Sequence, residues 1–222
     1  SIHQFLLQTE EDELPISALL KDQLIKLTIL LRLLNQKYDV VCANPPYLGI
    51  TKLEKDLAVK IQQNYPDYKD DLYSIFIIRC YELTKEAGLF SMVTMRGWMF
   101  IQQFKKLRKT ILDQMSILVL ADLDKGAFGD MKDVSACMFI VSGLILKDNQ
   151  ISVIKPVKTK EIARDRYQTG KNTRGLICPY QSWEFEQSKF KEIEGAPMIY
   201  WWPEEFRENY LVSNKIKDIG DS

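Results

Sequence analysis

Apolar and polar positions along this chain recur in two periods, and each change of period predicts an element. From Ser17, a residue suited to capping a helix start, Leu20, Leu24, Leu27, Leu31 and Leu34 recur at alternating spacings of four and three. That spacing predicts one helix to about Leu34 with a single leucine stripe. The stripe suits packing on a sheet; a dimerising coiled coil is the alternative, for which about two and a half heptads are too few. Then the period changes. Val40, Val41, Cys42 and Ala43 form an unbroken apolar run, as expected of a strand buried on both faces of a parallel sheet. Asn44-Pro45-Pro46 ends it, because two prolines fix φ and remove two backbone donors.

After this elbow, Leu53, Leu57 and Ile61 mark a short helix closed by Asn64 and Pro66. Asp70-Asp71-Leu72-Tyr73-Ser74-Ile75-Phe76 opens another, with acidic residues at the positive end of its dipole and Gly88 at its close. Leu89 to Met95 reads as a second strand. A helix follows from about Trp98 to Met115, with Phe104, Leu107, Ile111 and Met115 facing inward. Ile117 to Leu123 is a third strand, Gly126 and Gly129 punctuate a turn, and Val134 to Leu146 is a fourth. Strand-helix alternation predicts the α/β class with parallel strands, and the short third connection predicts a terminal antiparallel hairpin.

Beyond Lys147 the character changes. Residues 151 to 175 carry Lys155, Lys158, Lys160, Arg164, Arg166, Lys171 and Arg174 against Glu161 and Asp165. Such a run fits a loop touching phosphates, and equally a solvated linker. Residues 183 to 208 are aromatic and acidic, with Trp183, Phe185, Phe190, Tyr200, Trp201, Trp202 and Phe206. The expected division is therefore 1–148 for the sheet and 149–222 for an irregular extension.

Composition narrows the chemistry. The 222 residues, 46% hydrophobic, suffice for one sizeable core. Thirty basic residues balance thirty acidic ones, so any nucleic-acid contact must come from a local patch. Cys42, Cys80, Cys137 and Cys178 contain no Cys-x-x-Cys pair, and His3 is the only histidine. These counts argue against a zinc site, a disulfide framework and a histidine base, so no metal is expected. No apolar run approaches a membrane span and no secretory signal is visible, which predicts a cytoplasmic protein without membrane contact.

The candidate chemistry lies in the elbow. An exocyclic amino nitrogen of a nucleobase is a poor nucleophile, because its lone pair is delocalised into the ring. The carboxamide oxygen of Asn44 and the carbonyl of Pro45 can accept both amino hydrogens and favour a tetrahedral nitrogen. Tyr47 can stack on the base, a contact worth roughly 1–3 kcal/mol. A plain strand-ending turn is the competing account of the same residues.

Asn44-Pro45-Pro46-Tyr47 resembles the catalytic motif of S-adenosylmethionine-dependent amino-methyltransferases, above all the adenine-specific DNA enzymes. Protein-glutamine and ribosomal-guanine methyltransferases share the tetrapeptide. The resemblance implies a partial Rossmann-like methyltransferase sheet, a flipped adenine in double-stranded DNA as partner, and S-adenosylmethionine as cofactor. It makes Asn44, Pro45, Pro46 and Tyr47 catalytic. Phe76, in Asp71-Leu72-Tyr73 through Phe76, becomes the ring against the cofactor adenine, with Asn44 beside it. Phe128, inside Gly126-Ala127-Phe128, becomes a second base-holding aromatic. Pro197-Met198-Ile199-Tyr200-Trp201-Trp202 resembles the segment leading to the target-recognition domain in large phage-defence enzymes of the BREX type, which favours DNA over protein or ribosomal RNA. A non-catalytic DNA-binding or assembly module that retains the elbow is the alternative from another class.

A sulfonium cofactor needs a glycine-rich turn, and no Gly-x-Gly occurs here. The reading is therefore of the catalytic half of a larger restriction-modification or phage-defence enzyme, lacking the main cofactor motif and inactive alone. The strand from Val40 to Ala43 would then present an unpaired edge. That edge, or the leucine stripe with part of its cover lost, predicts self-association unless residues 1 to 16 fold back over it.

Overall fold

The computed structural model describes residues 15–125, 134–157 and 180–220, and it divides into two compact units at the Tyr38–Asp39 junction. The first is helix α1, Pro15–Asn35. It starts two residues before the expected cap, with a proline in the first turn, where no intrahelical N–H is required. Its last turn is closed by Asn35, whose Nδ2 donates to the Leu31 carbonyl at 2.7 Å. The leucine stripe is real and exposed: Leu20, Leu24, Leu27, Leu31 and Leu34 keep 41–56% of their surface.

The second unit is built on six strands: β1 Tyr38–Ala43, β2 Thr84–Met95, β3 Ser116–Lys125, β4 Ser135–Ser142, β5 Gln150–Pro156 and β6 Tyr180–Glu186. They form one sheet in the order β1-β2-β4-β3-β5-β6. β4 runs antiparallel to both β2 and β3, β3 is parallel to β5, and β6 is antiparallel to β5. So β2, β3 and β5 point one way, while β4 and β6 are reversed. The expected hairpin is β3–β4, and its second strand is inserted between β2 and β3.

Alternation along the strands gives the sheet two different faces. Phe90, Met92 and Thr94 of β2, Cys137, Phe139 and Val141 of β4, and Ile151 and Val153 of β5 are buried. Helix α3, Leu72–Leu83, packs against β2, and helix α4, Lys105–Gln114, against β3. α4 contributes Leu107 and Ile111 to the core, with Phe104 just before it and Met115 just after, as the spacing predicted. Their neighbours on the strands, Ser91, Val93, Val119, Met138 and Ile140, line an open apolar trough of about 470 Å³.

Several boundaries depart from expectation, each for a local reason. β1 is not buried on both faces. Val40 is 62% exposed, so its face lacks cover; β1 also ends the sheet, with a strand beside only one of its edges among the described residues. The helix after Asp70 stops at Leu83 rather than Gly88, where Thr84 turns its hydroxyl to the Cys80 carbonyl at 2.6 Å and β2 begins. The helix expected from Trp98 is two 3-10 turns, Arg96–Met99 and Gln102–Phe104, followed by α4. The break is held open by Arg108, which donates to the carbonyls of Trp98 at 2.7 Å, Ile101 at 2.8 Å and Gly195 at 2.8 Å. β4 ends at Ser142, short of Leu146, where Gly143 meets β2 so closely that a Cβ would lie 2.9 Å from the Lys85 and Glu86 carbonyls. The stretch read as an irregular extension supplies β5 and β6 to the same sheet. It then gives a 3-10 turn, Gln187–Glu192, and helix α5, Glu204–Gly220. Helix α2, Lys55–Asn64, falls where Leu57 and Ile61 placed it. No helix among the described residues is long and apolar enough to cross a membrane.

Candidate active site

Asn44 follows β1 directly, and the two prolines after it hold the chain in an extended elbow. Pro45 is buried, while Asn44 and Pro46 are exposed. The Tyr47 phenol turns back and donates to Asn44 Oδ1 at 3.4 Å, a long bond. Its ring is half-buried, and that burial raises the phenol pKa above the ordinary tyrosine value.

The far end of the elbow is pinned by the start of α3. Leu72 N donates to the Leu48 carbonyl at 3.0 Å, and Gly49 and Asp71 form an antiparallel bridge. Asp71 is the N-cap of α3, accepting from Tyr73 N at 3.2 Å, which satisfies a free amide of the first turn. Its carboxyl pKa is raised, because burial outweighs the amide hydrogens that favour the charged form. Ser74 adds a hydroxyl bond to the Asp71 carbonyl at 2.6 Å. One residue into this pinned turn, Tyr73 is 2% exposed and meets the Tyr47 ring edge-on, centroids 6.5 Å apart at 88°.

Phe76 lies one turn further along α3. It is 38% exposed, while Tyr73, Ile75, Ile77, Ile78 and Cys80 of the same helix are buried. Its ring is therefore available to a planar apolar ligand rather than used in the core. Phe128 lies outside the described residues. Its flanking strands are described, and the last residues of β3 are anchored by Arg96, which reaches Asp124 at 3.1 Å and Asp122 at 2.9 Å.

That anchor belongs to a cluster the sequence did not reveal. Asp122 is fully buried at the end of β3, and its Oδ2 also accepts from the Tyr200 hydroxyl at 2.7 Å. Burial, reinforced by this carboxylate, raises the Tyr200 phenol pKa. Trp201 packs edge-on against Phe100 at 5.6 Å, and Arg96 lies over the Phe100 ring at 4.9 Å. The segment containing Tyr200 is thus fastened at the ends of β2 and β3 where Arg96 and Asp122 sit. No sequence signal joins Asp122 to Tyr200, since the two are far apart in the chain.

Among the basic residues proposed for phosphate contact, Lys155 closes β5. It sits 4.0 Å from Asp122 and 5.9 Å from the Trp201 ring centre. It therefore joins the same cluster. Lys158, Lys160, Arg164, Arg166, Lys171 and Arg174 lie outside the described residues. No group of acidic, histidine or cysteine side chains suited to a metal occurs among the described residues. For S-adenosylmethionine the described chain offers the exposed Phe76 ring and the Asn44 carboxamide, and no glycine-rich turn for its amino-acid end.

Comparison with known proteins adds three findings. The profile of the Eco57I restriction-modification methylase family matches residues 5–128. The chain is 30% identical over 179 residues to the adenine-specific methyltransferase BrxX of Escherichia coli O9:H4 (strain HS), a match covering 81% of this chain and 14% of that protein. It is 32% identical over 175 residues to the adenine-specific methyltransferase PglX of Lacticaseibacillus casei (strain Zhang), covering 76% and 14%. The matched stretch thus spans about a seventh of those relatives' length. Among solved structures, a type I restriction-modification complex superposes with a TM-score of 0.54 at 18% identity, covering 86% of this chain and 44% of that one. The DrdV–DNA complex gives 0.51 at 18%, covering 81% and 20%. These two likenesses show a shared fold.

Proposed function

Since the chain belongs to the Eco57I restriction-modification methylase family, we propose that it holds an adenine of double-stranded DNA for methylation at the exocyclic amino group, as part of a longer enzyme. The observation that carries this reading is the elbow itself. An exposed carboxamide stands at the end of a strand, stiffened by two prolines, with an aromatic ring braced beside it. The relatives' names, both adenine-specific methyltransferases, support adenine over glutamine or guanine.

In this proposal the adenine leaves the duplex, because its amino group is out of reach inside the stack. Tyr47 takes the face of the extruded ring, and Asn44 Oδ1 with the Pro45 carbonyl accepts the two amino hydrogens. The nitrogen lone pair is then directed away from the ring. S-adenosylmethionine, when bound, supplies an electrophilic methyl group, and Phe76 would hold its adenine. No general base is needed before attack, since the amino proton becomes acidic only as the new bond forms. Phe128 is proposed as the second aromatic on the base. The basic residues from Lys158 to Arg174 are proposed as phosphate contacts, and residues 149–222 as the passage from catalysis to target recognition. On this reading the enzyme works in the cytoplasm, where its DNA lies.

The test is Asn44→Ala in the complete reading frame that encodes this chain. Loss of one acceptor used in the transition state typically costs about 3–4 kcal/mol, so turnover should fall at least a hundredfold with cofactor binding largely intact. Labelled methyl groups reaching DNA at a near-normal rate would sink the assignment.

A further inference from the structure

Pro45 and Pro46 fix the backbone of the elbow, but they leave the two side-chain torsions of Tyr47 free. Something else must set the plane of the ring that meets the base. One restraint is the phenol bond to Asn44 Oδ1 at 3.4 Å. That bond uses the oxygen which, on the function proposed above, must accept an amino hydrogen of the target. That oxygen has two lone pairs, but a bond of 3.4 Å holds the phenol weakly and does not by itself fix the ring when a base arrives. A further restraint comes from the buried side chains packed beside the ring.

Tyr73 stands there. Its ring is 2% exposed, lies 6.5 Å from the Tyr47 ring at 88°, and is backed by Phe104 at 5.6 Å and 41°. Phe104 is 4% exposed, so the backing is itself fixed. The backbone carrying Tyr73 is tied to the far end of the elbow through Leu72–Leu48 and Asp71–Gly49. Elbow and brace therefore form one frame. We propose that Tyr73 is a positioning residue, whose buried ring sets the plane in which Tyr47 receives the extruded base. The inference rests on the base-holding role of Tyr47 and extends it to a residue that touches no substrate.

The ring is the working part, so Tyr73→Phe retains function. Tyr73→Leu removes the edge-on contact, and Tyr73→Met does so while keeping a side chain that cores accommodate well. Ile111→Ala, a core substitution on α4, controls for lost stability. The complete reading frame is used with two duplexes: an unmodified one for kcat, and one for base extrusion carrying 2-aminopurine, which lacks the 6-amino acceptor, at the adenine that the wild type methylates. That adenine is located beforehand by sequencing DNA from cells expressing the enzyme. Removing an aromatic pair of this kind is expected to lower kcat about tenfold and to reduce the 2-aminopurine signal, with KM for the cofactor unchanged. Tyr73→Phe should stay within about twofold of wild type, and Ile111→Ala should keep the full signal at equal folded concentration. Wild-type signal and kcat in folded Tyr73→Leu or Tyr73→Met, while Tyr47→Ala loses both, would leave Tyr73 a core residue and overturn the inference. No effect of Tyr47→Ala would overturn the base-holding reading itself, and the inference with it.

Discussion

The oxygen of Asn44 is engaged by Tyr47 before any substrate arrives, and its neighbour Cys42 offers a way to watch the site. Cys42 is exposed on the wall of the trough and accepts a bond from the Ser91 hydroxyl at 3.2 Å. Burial pushes the Cys80 thiol up to about 11 and the Cys137 thiol up to about 12, so both stay protonated at neutral pH. Maleimide should therefore label Cys42 on the order of a hundredfold faster than either at pH 7.5, as read by peptide mass spectrometry. Equal labelling of the three would mean that β4 or α3 opens readily. Asn44 and Tyr47 were legible as a candidate site because they bound one contiguous tetrapeptide whose two prolines are unusual after an apolar run. Tyr73, Asp122 and Tyr200 were not. Each reads as an ordinary core or strand residue until the fold brings it to its partner.

At the scale of elements, the helix expected from Trp98 to Met115 fails for a reason that hydrophobic period cannot express. Arg108 is a cation on α4, yet it is 1% exposed; it bonds the carbonyls of Trp98 and Ile101, which a continuous helix would have satisfied itself, and that of Gly195 from another segment. Burial lowers its pKa to about 10, still leaving it charged at neutral pH. Arg108→Leu strands the carbonyls of Trp98, Ile101 and Gly195, each worth about 1–3 kcal/mol when buried and unmade. A loss of at least about 3 kcal/mol in urea denaturation is expected. Arg108→Lys should recover little of it, because an ammonium lacks the planar fork that reaches several acceptors at once. If Arg108→Leu unfolded at the wild-type urea midpoint, the two 3-10 turns would owe their form to something else. The strands were easier to read: the apolar stretch from Leu89 to Met95 falls within β2, although the first residues of β2 were assigned to the preceding helix.

At the scale of the whole molecule, β1 is the exposed end of the sheet. An apolar run in sequence does not say whether both faces of a strand are covered, which is why burial was expected and exposure found. Val40, 62% exposed on such an edge, invites pairing with another chain. Purified chain should therefore self-associate with rising concentration in light scattering, and Val40→Lys should suppress this by placing a charge on the edge. A monodisperse wild-type monomer at high concentration would show that this edge is covered. Of residues 1 to 16, which were expected to be able to fold over it, 1 to 14 lie outside the described residues and the last two open α1.

The reversed strand β4 also sets a timetable for assembly. Leu89 to Met95 of β2 pair with Ala136 to Ser142, and the same seven residues of β4 hold β3 on their other side. As the chain leaves the ribosome, β2 and β3 emerge first and cannot join, since the strand that belongs between them has not been made. Sequence-distant pairing of this kind slows folding and leaves apolar surface open in the meantime. Phe90 and Met92, fully covered at the end, are on view until Phe139 arrives. The sheet is thus closed from its middle, and late. A nascent chain halted before Ser135 has α2, α3 and α4 and still lacks the strand that would hold β2 and β3 together.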